Sequence, residues 1–173
     1  HEDIWVGEKL LLVGDVFLQV NRAAAQLLQE YVIATSGSPD SAVDAYCGVG
    51  YYGRQLANSG AAVVGIDVNG AALTSSCEKR SGNYPTVQGA VEEHLSNFLP
   101  VDLLILNPPR SGLESTIPLQ ILDAPPETII YISCDPATLA RDLKRLGSAY
   151  ALIDYEAFDL FPQTAHIETV VVL

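Results

Sequence analysis

Short apolar runs alternate with longer amphipathic stretches along most of this chain. Runs rich in β-branched residues, such as 102–107 and 128–134, have the pattern of buried strands. Stretches with apolar residues at every third or fourth position have the pattern of helices. The strands are predicted at residues 42–46, 62–68, 86–89, 102–107, 128–134, 150–157 and 168–173. The helices are predicted at residues 21–31, 51–59, 69–80, 90–98, 116–123 and 136–146.

The order of these elements predicts an α/β fold. Strands that alternate with helices form a mainly parallel sheet covered on both faces. The last two predicted strands have only the short loop FPQTAHI between them, so we expect them to pair antiparallel at one edge. A doubly wound, Rossmann-like sheet with a terminal antiparallel hairpin is the layout of class I methyltransferases. Ordinary dinucleotide dehydrogenases lack that hairpin.

Length and composition indicate one globular domain. The chain has 173 residues, of which 49% are hydrophobic, enough for a sizeable core. It has no run of about 18 uncharged apolar residues, so no membrane span is expected. Three cysteines without metal-type spacing predict no metal site and a reducing, cytoplasmic setting.

The chain contains no methionine, which suggests a domain excised from a longer protein. Residues 1–20 hold short apolar runs around Gly7 and Gly14, typical of an extended or hairpin segment. We expect this segment to be the remnant of a linker to a missing N-terminal region, and residues 21–173 to form the main domain. The net charge is −12, and the nine Lys and Arg residues form no cluster. This balance argues against tight nucleic-acid binding by this stretch alone.

A glycine loop and an acidic residue predict a nucleotide-type ligand. In AVDAYCGVGYYGRQLA, Gly48 and Gly50 lie between a predicted strand and a predicted helix, where they let the backbone approach a ligand. Asp67 ends the next strand, where an acidic residue typically binds a ribose diol. The pattern fits NAD and S-adenosylmethionine equally well, and a plain tight turn is the simpler alternative.

Cys134 lies at the end of an apolar strand and directly before a predicted helix. Asp135 is a good N-cap and Pro136 suits the first helical position. Open α/β sheets bind ligands at this edge, and the helix N-terminus is expected to favour a thiolate. The alternative is a buried structural cysteine.

Two further motifs add to this edge. NPPRSG (107–112) ends a strand, because consecutive prolines cannot donate to the sheet, and it carries Asn107 and Arg110 towards the ligand edge. In FPQTAHIE, His166 and Glu168 share a face of an extended segment, although such residues are more often simply solvated.

Taken in order, CGVG with Asp44, NPPRSGL, SCDPATLARDL and FPQTAHIE resemble the RNA uracil-5-methyltransferase family. FLQVN (17–21) resembles the sequence before that family's catalytic domain, so the resemblance covers about residues 17–173. The resemblance implies Cys134 as nucleophile and Glu168 as base. It also implies cofactor contacts at Gln19, Tyr46, Tyr51, Asp67 and Asn107. With Gly48 and Gly50 of the glycine loop, these residues make up the predicted cofactor site.

The implied reaction moves a methyl group from S-adenosylmethionine to C5 of a uridine in transfer or ribosomal RNA. A thiolate adds at C6 to activate C5, and a carboxylate later removes the C5 proton. RNA is the expected partner, with no membrane and no DNA. We expect this stretch alone to bind RNA weakly, because the family's N-terminal RNA-binding barrel is missing from it.

Two alternatives remain open. A nicotinamide-dependent oxidoreductase would use GVGYYG and Asp67, but it leaves Cys134, NPPRSG and the terminal motif unexplained. A non-catalytic module would keep the fold and the S-adenosylmethionine site while lacking RNA binding, as the acidic charge allows.

Overall fold

The computed structural model describes residues 2–5, 8–11, 21–77, 83–160, 162–164 and 167–173. Near the N-terminus, β1 (Glu2–Trp5) and β2 (Glu8–Leu11) pair antiparallel as a separate two-stranded sheet. This pairing agrees with the hairpin predicted for the N-terminal segment. Gln19, an implied cofactor contact, and His166, which shares a predicted strand face with Glu168, lie outside the described residues.

A seven-stranded sheet forms the centre of the fold, in the order β5-β4-β3-β6-β7-β9-β8. Its first five strands are parallel, whereas β9 runs antiparallel to both β7 and β8. The predicted antiparallel pair at the sheet edge is therefore confirmed. The strands are β3 (Ser41–Ala45), β4 (Ala62–Asp67), β5 (Thr86–Gln88), β6 (Leu103–Leu106), β7 (Thr128–Ser133), β8 (Asp154–Phe158) and β9 (Glu168–Val172).

Helices connect the parallel strands, and two of them begin at the residues that the sequence indicates. Asn21 caps the first helix by accepting a hydrogen bond from the Ala24 N–H at 3.3 Å. Asp135 caps the last by accepting from the Thr138 N–H at 2.8 Å. The helices are α1 (Arg22–Thr35), α2 (Tyr51–Asn58), α3 (Gly70–Cys77), α4 (Val91–His94), α5 (Ile117–Asp123) and α6 (Pro136–Leu146).

Three predicted boundaries are wrong. The first helix continues to Thr35 rather than residue 31, because packing of the fully buried Val32 outweighs the weak helix propensity of β-branched residues. The segment predicted as one helix at 90–98 is α4 followed by a 3₁₀ turn at Leu95–Asn97. The strand predicted from residue 150 begins only at Asp154.

The apolar core lies on both faces of the sheet. Along β6, Leu104 and Leu106 pack on one face, while Leu103 and Ile105 pack on the other, and all four are buried. Burial on both faces explains why the central strands read as continuous apolar runs. Among the described residues, no helix combines the length and the apolar character that a membrane span requires.

Candidate functional site

Those predicted functional residues that the structure describes come together at one edge of the sheet. The parallel strands β3, β4, β6 and β7 end there, so the residues that follow them converge. Because β9 runs antiparallel to β7, its first residue, Glu168, lies at the same edge as Cys134. The paired register of these strands ends at Ser133 opposite Thr169, and Cys134 and Glu168 are the next residues of each.

A cavity of about 280 Å³ opens at this edge between the glycine loop and α1. It brings together five of the predicted cofactor contacts, namely Tyr46, Gly48, Tyr51, Asp67 and Asn107, and it also reaches Glu168. We call it the inner cavity. Its other walls are formed by Ala25, Leu28, Gln29, Cys47, Val49, Tyr52, Asn69, Ala72, Ile132 and Leu160.

A second cavity of about 390 Å³ adjoins the first, and we call it the outer cavity. The two share Tyr46, Asp67 and Asn107, so these residues stand at the junction. The rest of the outer wall combines apolar residues with two carboxylates. It consists of Val68, Ala90, Val91, Glu92, Pro109, Ser111, Gly112 and Glu114. An elongated ligand with a polar end and a flat apolar end fits such a pair of compartments.

The glycine loop has a backbone conformation that few residues other than glycine adopt. Gly48 and Gly50 have φ of 55° and 74°, and the Gly50 N–H closes the turn onto the Cys47 carbonyl at 2.8 Å. Tyr46 also has a positive φ, 61°, which is strained for a bulky residue. Gly50 is not among the residues that line the inner cavity but is the N-cap residue of α2, so its part is to shape the loop.

Asp67 is held in place before any ligand is bound. One carboxylate oxygen accepts a hydrogen bond from the Gly48 N–H and the other from the Asn69 N–H, each at 2.7 Å. Each oxygen can accept a further hydrogen bond, because a carboxylate has about four acceptor positions. Asp67 can therefore accept from two vicinal hydroxyls while keeping the glycine loop in position.

Beneath the loop, a tyrosine that the sequence analysis did not single out explains two of the glycines. The Tyr84 ring packs against Gly53 and Gly65, where an added Cβ would overlap the ring. Its hydroxyl donates to the fully buried Asp44 at 3.2 Å, and the Gly53 N–H donates to the same oxygen at 2.9 Å. Burial raises the pKa of Asp44 to about 6, although these two hydrogen bonds oppose the rise.

Cys134, Glu168 and Arg110 lie close enough together beside the inner cavity to influence one another's ionisation. Burial raises the pKa of Glu168, which is only 8% exposed, and the nearby Arg110 charge opposes that rise. Burial, followed by the negative charge of Glu168, also raises the pKa of Cys134, while Arg110 again lowers it. The helix N-terminus is expected to favour a thiolate, but burial and the charge of Glu168 outweigh the effects that favour ionisation, so the pKa of Cys134 lies above its ordinary value.

Gln29 is a further residue that the sequence analysis missed. It lies on α1 one turn after Ala25, is 3% exposed and lines the inner cavity. No described residue donates a hydrogen bond to its buried side-chain oxygen. A glutamine between the buried Ala25 and Val32 on an apolar helix face was the signal that could have identified it. A buried polar atom without a partner indicates a ligand or water that would complete it.

Comparison with known proteins agrees with these motifs. Residues 90–173 match the model of the family described as tRNA (uracil-5-)-methyltransferase. An RNA methyltransferase of Thermosynechococcus vestitus is 38% identical over 177 residues, which cover 96% of this chain and 39% of that protein. The crystal structure of the Pyrococcus abyssi tRNA (uracil-54, C5)-methyltransferase, in complex with S-adenosyl-L-homocysteine, is 30% identical with a TM-score of 0.88. That similarity covers 100% of this chain and 44% of the Pyrococcus chain.

The chain belongs to the RNA uracil-5-methyltransferase family. More distant structures support the class I methyltransferase fold alone. The N-methyltransferase NodS of Bradyrhizobium japonicum is 16% identical with a TM-score of 0.69, covering 90% of this chain and 97% of its own. The predicted class I methyltransferase fold is thus confirmed. The chain spans about two fifths of the length of the curated family members that it matches, 39% in the first two.

Proposed function

We propose that this chain is the catalytic domain of an RNA methyltransferase that uses S-adenosylmethionine to methylate C5 of a uridine in transfer or ribosomal RNA. One observation carries the proposal. The nucleophile and the base that the family resemblance implies, Cys134 and Glu168, lie side by side next to the cavity that the glycine loop forms. A nicotinamide oxidoreductase gives no reason for that pair.

The residues present fit S-adenosylmethionine. Asp67, fixed by two backbone N–H groups, would bind the ribose diol. The apolar part of the outer cavity, with Val68, Ala90 and Pro109, suits the adenine ring. Gln29 offers an unused acceptor in the inner cavity for the ammonium group of the methionine end. When bound, the cofactor supplies an electrophilic methyl group.

The chain's own residues would activate and then restore the pyrimidine. The Cys134 sulfur, once deprotonated, forms a bond to C6 of uracil, and the electron pair of the C5–C6 double bond moves to C5 and O4. This makes C5 nucleophilic enough to be methylated. Glu168 then takes the proton from C5, the double bond re-forms, and the sulfur leaves C6 as thiolate.

The charges around the pair suit these two steps. Glu168 has a raised pKa, which makes it a stronger base than an exposed carboxylate. Cys134 must lose a proton before it can attack, and Arg110 is the neighbouring charge that favours the thiolate. The rate of adduct formation should therefore increase with pH above neutrality, as the thiolate fraction grows.

The RNA itself would be held mainly by other parts of the whole protein. A net charge of −12 repels phosphate, and few cations are available to neutralise it. The target uridine must leave its stack to reach Cys134, as bases do in other enzymes that modify them. The proposal includes weak RNA binding by this stretch, no DNA substrate, no membrane partner and a cytoplasmic setting.

A transfer assay tests the function directly. The full-length gene product is incubated with methyl-labelled S-adenosylmethionine and RNA lacking 5-methyluridine, and the nucleosides are then separated. We expect label in 5-methyluridine, and none when Cys134 is replaced by serine. Tighter binding of NAD than of S-adenosylhomocysteine would contradict the cofactor. Cofactor binding without transfer to any RNA would instead support the non-catalytic module that the acidic charge leaves open.

A further inference from the structure

A fully buried carboxylate, Asp142, holds together the two segments that carry Arg110 and Cys134. One of its oxygens accepts from the Leu113 N–H at 2.8 Å and from the Tyr131 hydroxyl at 2.9 Å. The other accepts from Arg141 at 3.0 Å and from Arg145 at 3.1 Å. The Asp142 clamp, as we call it, consists of Asp142 and these four partners.

The clamp grips the tight turn on which Arg110 stands. The Gly112 N–H donates to the Pro109 carbonyl at 2.8 Å, closing a turn with Arg110 and Ser111 at its tip. On α6, Arg141 donates to the Ser111 carbonyl at 2.6 Å. Arg145, one turn further along the helix, donates to the Leu113 carbonyl at 3.2 Å. The backbone of the turn is thereby tied to α6 on both sides of Gly112.

Gly112 shows how close this contact is. Its φ is 74°, and a Cβ at this position would overlap the Asp142 carboxylate and the Arg141 guanidinium. The turn therefore lies directly against the helix surface, with no space for a side chain between them.

The same clamp also fixes Cys134. Tyr131 belongs to β7, whose chain leads into Cys134, and Asp142 belongs to α6, whose cap residue Asp135 follows Cys134. The hydrogen bond from Tyr131 to Asp142 thus joins the chain on both sides of the cysteine. Although burial opposes ionisation, hydrogen bonds from Arg141, the Leu113 N–H and Tyr131 hold the pKa of Asp142 below its ordinary value. The clamp carboxylate is therefore charged at neutral pH.

We propose that Asp142 is a positioning residue of the reaction, whose carboxylate holds the turn of Arg110 against the segment of Cys134. This inference rests on the proposed function for the role of Cys134. Asp142 itself touches neither substrate nor cofactor, and it acts only by setting the separation of the Arg110 charge from the Cys134 sulfur.

The test measures the reactivity of Cys134 without using methyl transfer. The full-length gene product is alkylated with iodoacetamide across a pH series, and the peptide containing Cys134 is quantified by mass spectrometry. Arg110→Gln should slow alkylation at neutral pH by about tenfold, because the variant lacks the neighbouring cation that lowers the pKa of the Cys134 thiol. Tyr131→Phe, which removes one donor to Asp142 and little else, should slow it by about threefold, and Asp142→Asn by more.

A double variant shows whether the clamp acts through Arg110. In an Arg110→Gln background, Tyr131→Phe should have no further effect on the alkylation profile. Loosening the clamp is proposed to act by moving the Arg110 charge away from Cys134, and that charge is already absent. An equal effect in both backgrounds, or no effect of Tyr131→Phe at all, would overturn the proposal. If Asp142→Asn does not fold, the comparison of Tyr131→Phe in the wild-type and Arg110→Gln backgrounds still tests the proposal.

Asp102→Asn is the matched control. Asp102 also uses its carboxylate to accept from two backbone N–H groups, those of Asp40 and Ser41, both at 2.8 Å, but it lies at the opposite end of the strands. This variant should lower the melting temperature and leave the Cys134 profile unchanged. A shift with Asp102→Asn equal to that with Tyr131→Phe would show a general loss of stability and overturn the proposal. The readout is independent of RNA, so failure of methyl transfer alone would not affect this outcome.

Discussion

Cys134 and Glu168 are the first residues beyond the paired register of two antiparallel strands, β7 and β9. The last pair of that register is Ser133 with Thr169, so one further step along each strand reaches the cysteine and the glutamate. Residues far apart in the sequence thus become neighbours through backbone pairing alone. If they act as the proposed nucleophile and base, their place at the ends of paired strands gives them the fixed separation that a two-step covalent mechanism requires.

Replacing Glu168 with glutamine should trap a covalent adduct. Addition of Cys134 and methyl transfer can both proceed without Glu168, but elimination cannot, because glutamine does not accept the C5 proton. We expect a protein–RNA band that survives denaturation and carries the labelled methyl group. The measurement is a denaturing gel of the full-length protein with RNA and labelled cofactor.

Two controls make this result specific. The band should disappear when Cys134→Ser is combined with Glu168→Gln, because the sulfur that forms the adduct is then missing. His166→Asn should turn over normally if Glu168 is the base. Normal turnover by Glu168→Gln, with no adduct, would remove Glu168 from the mechanism.

The sequence predicted the fold well because its central strands are buried on both faces. Their apolar runs are unmistakable, and the cap residues Asn21 and Asp135 marked helix starts. The elements that the sequence placed wrongly are those set by tertiary contacts, such as the extension of α1 around Val32.

The site divides in the same way. Residues at the ends of strands or directly after them, such as Asp67 and Cys134, could be predicted because position in the chain determines their place at the sheet edge. Tyr84 and Asp142 could not, because their contacts involve residues that are distant in the sequence. The raised pKa of Cys134 could not be predicted from the sequence either, because it comes from burial and from the charge of Glu168.

Gln29→Leu should weaken cofactor binding without destabilising the protein. The change removes a buried oxygen that has no donor among the described residues, so the free protein loses no hydrogen bond there. If that oxygen accepts from the cofactor, affinity should fall by about tenfold, the effect of one hydrogen bond to a charged group. Calorimetry with S-adenosylhomocysteine measures the affinity, and thermal melting measures the stability.

Gln26→Leu is the matched control on the same helix. Gln26 is exposed and bonds to Glu30 at 2.8 Å, away from the cavity, so its replacement should leave cofactor affinity unchanged. Unchanged affinity for Gln29→Leu would mean that the Gln29 side-chain oxygen accepts a hydrogen bond from water rather than from the ligand.

The stability of the protein should depend on the ionisation of Asp44. Its pKa is raised from 3.8 to about 6 by burial, so the folded state binds a proton more tightly than the unfolded state does. Stability therefore falls as pH rises from about 4 to about 6, by about 3 kcal/mol for a shift of this size.

Asp44→Asn cannot ionise at this position, so comparing its stability with that of the wild type isolates the effect of the Asp44 charge. The melting temperature of the variant relative to the wild type should increase between about pH 4 and about pH 7 and then level off. The direction follows because the wild type alone must bury a negative charge as the pH rises. A difference that stays constant over this range would show that Asp44 does not titrate there.

Gly53→Ala should be destabilising in the native protein and stabilising once Tyr84 is removed. Gly53 lies within α2 and does not have a positive φ, so the backbone there can accommodate alanine. An added Cβ would, however, overlap the Tyr84 ring. Overpacking of this kind costs about 1–3 kcal/mol, whereas alanine in a helix interior is favoured over glycine by about 1 kcal/mol. In a Tyr84→Ala background the overlap is gone, and only the helix preference remains. Denaturant unfolding of the wild type, the two single variants and the double variant measures both effects. An equal loss of stability from Gly53→Ala in both backgrounds would show that the Tyr84 ring is not the reason for a glycine at this position.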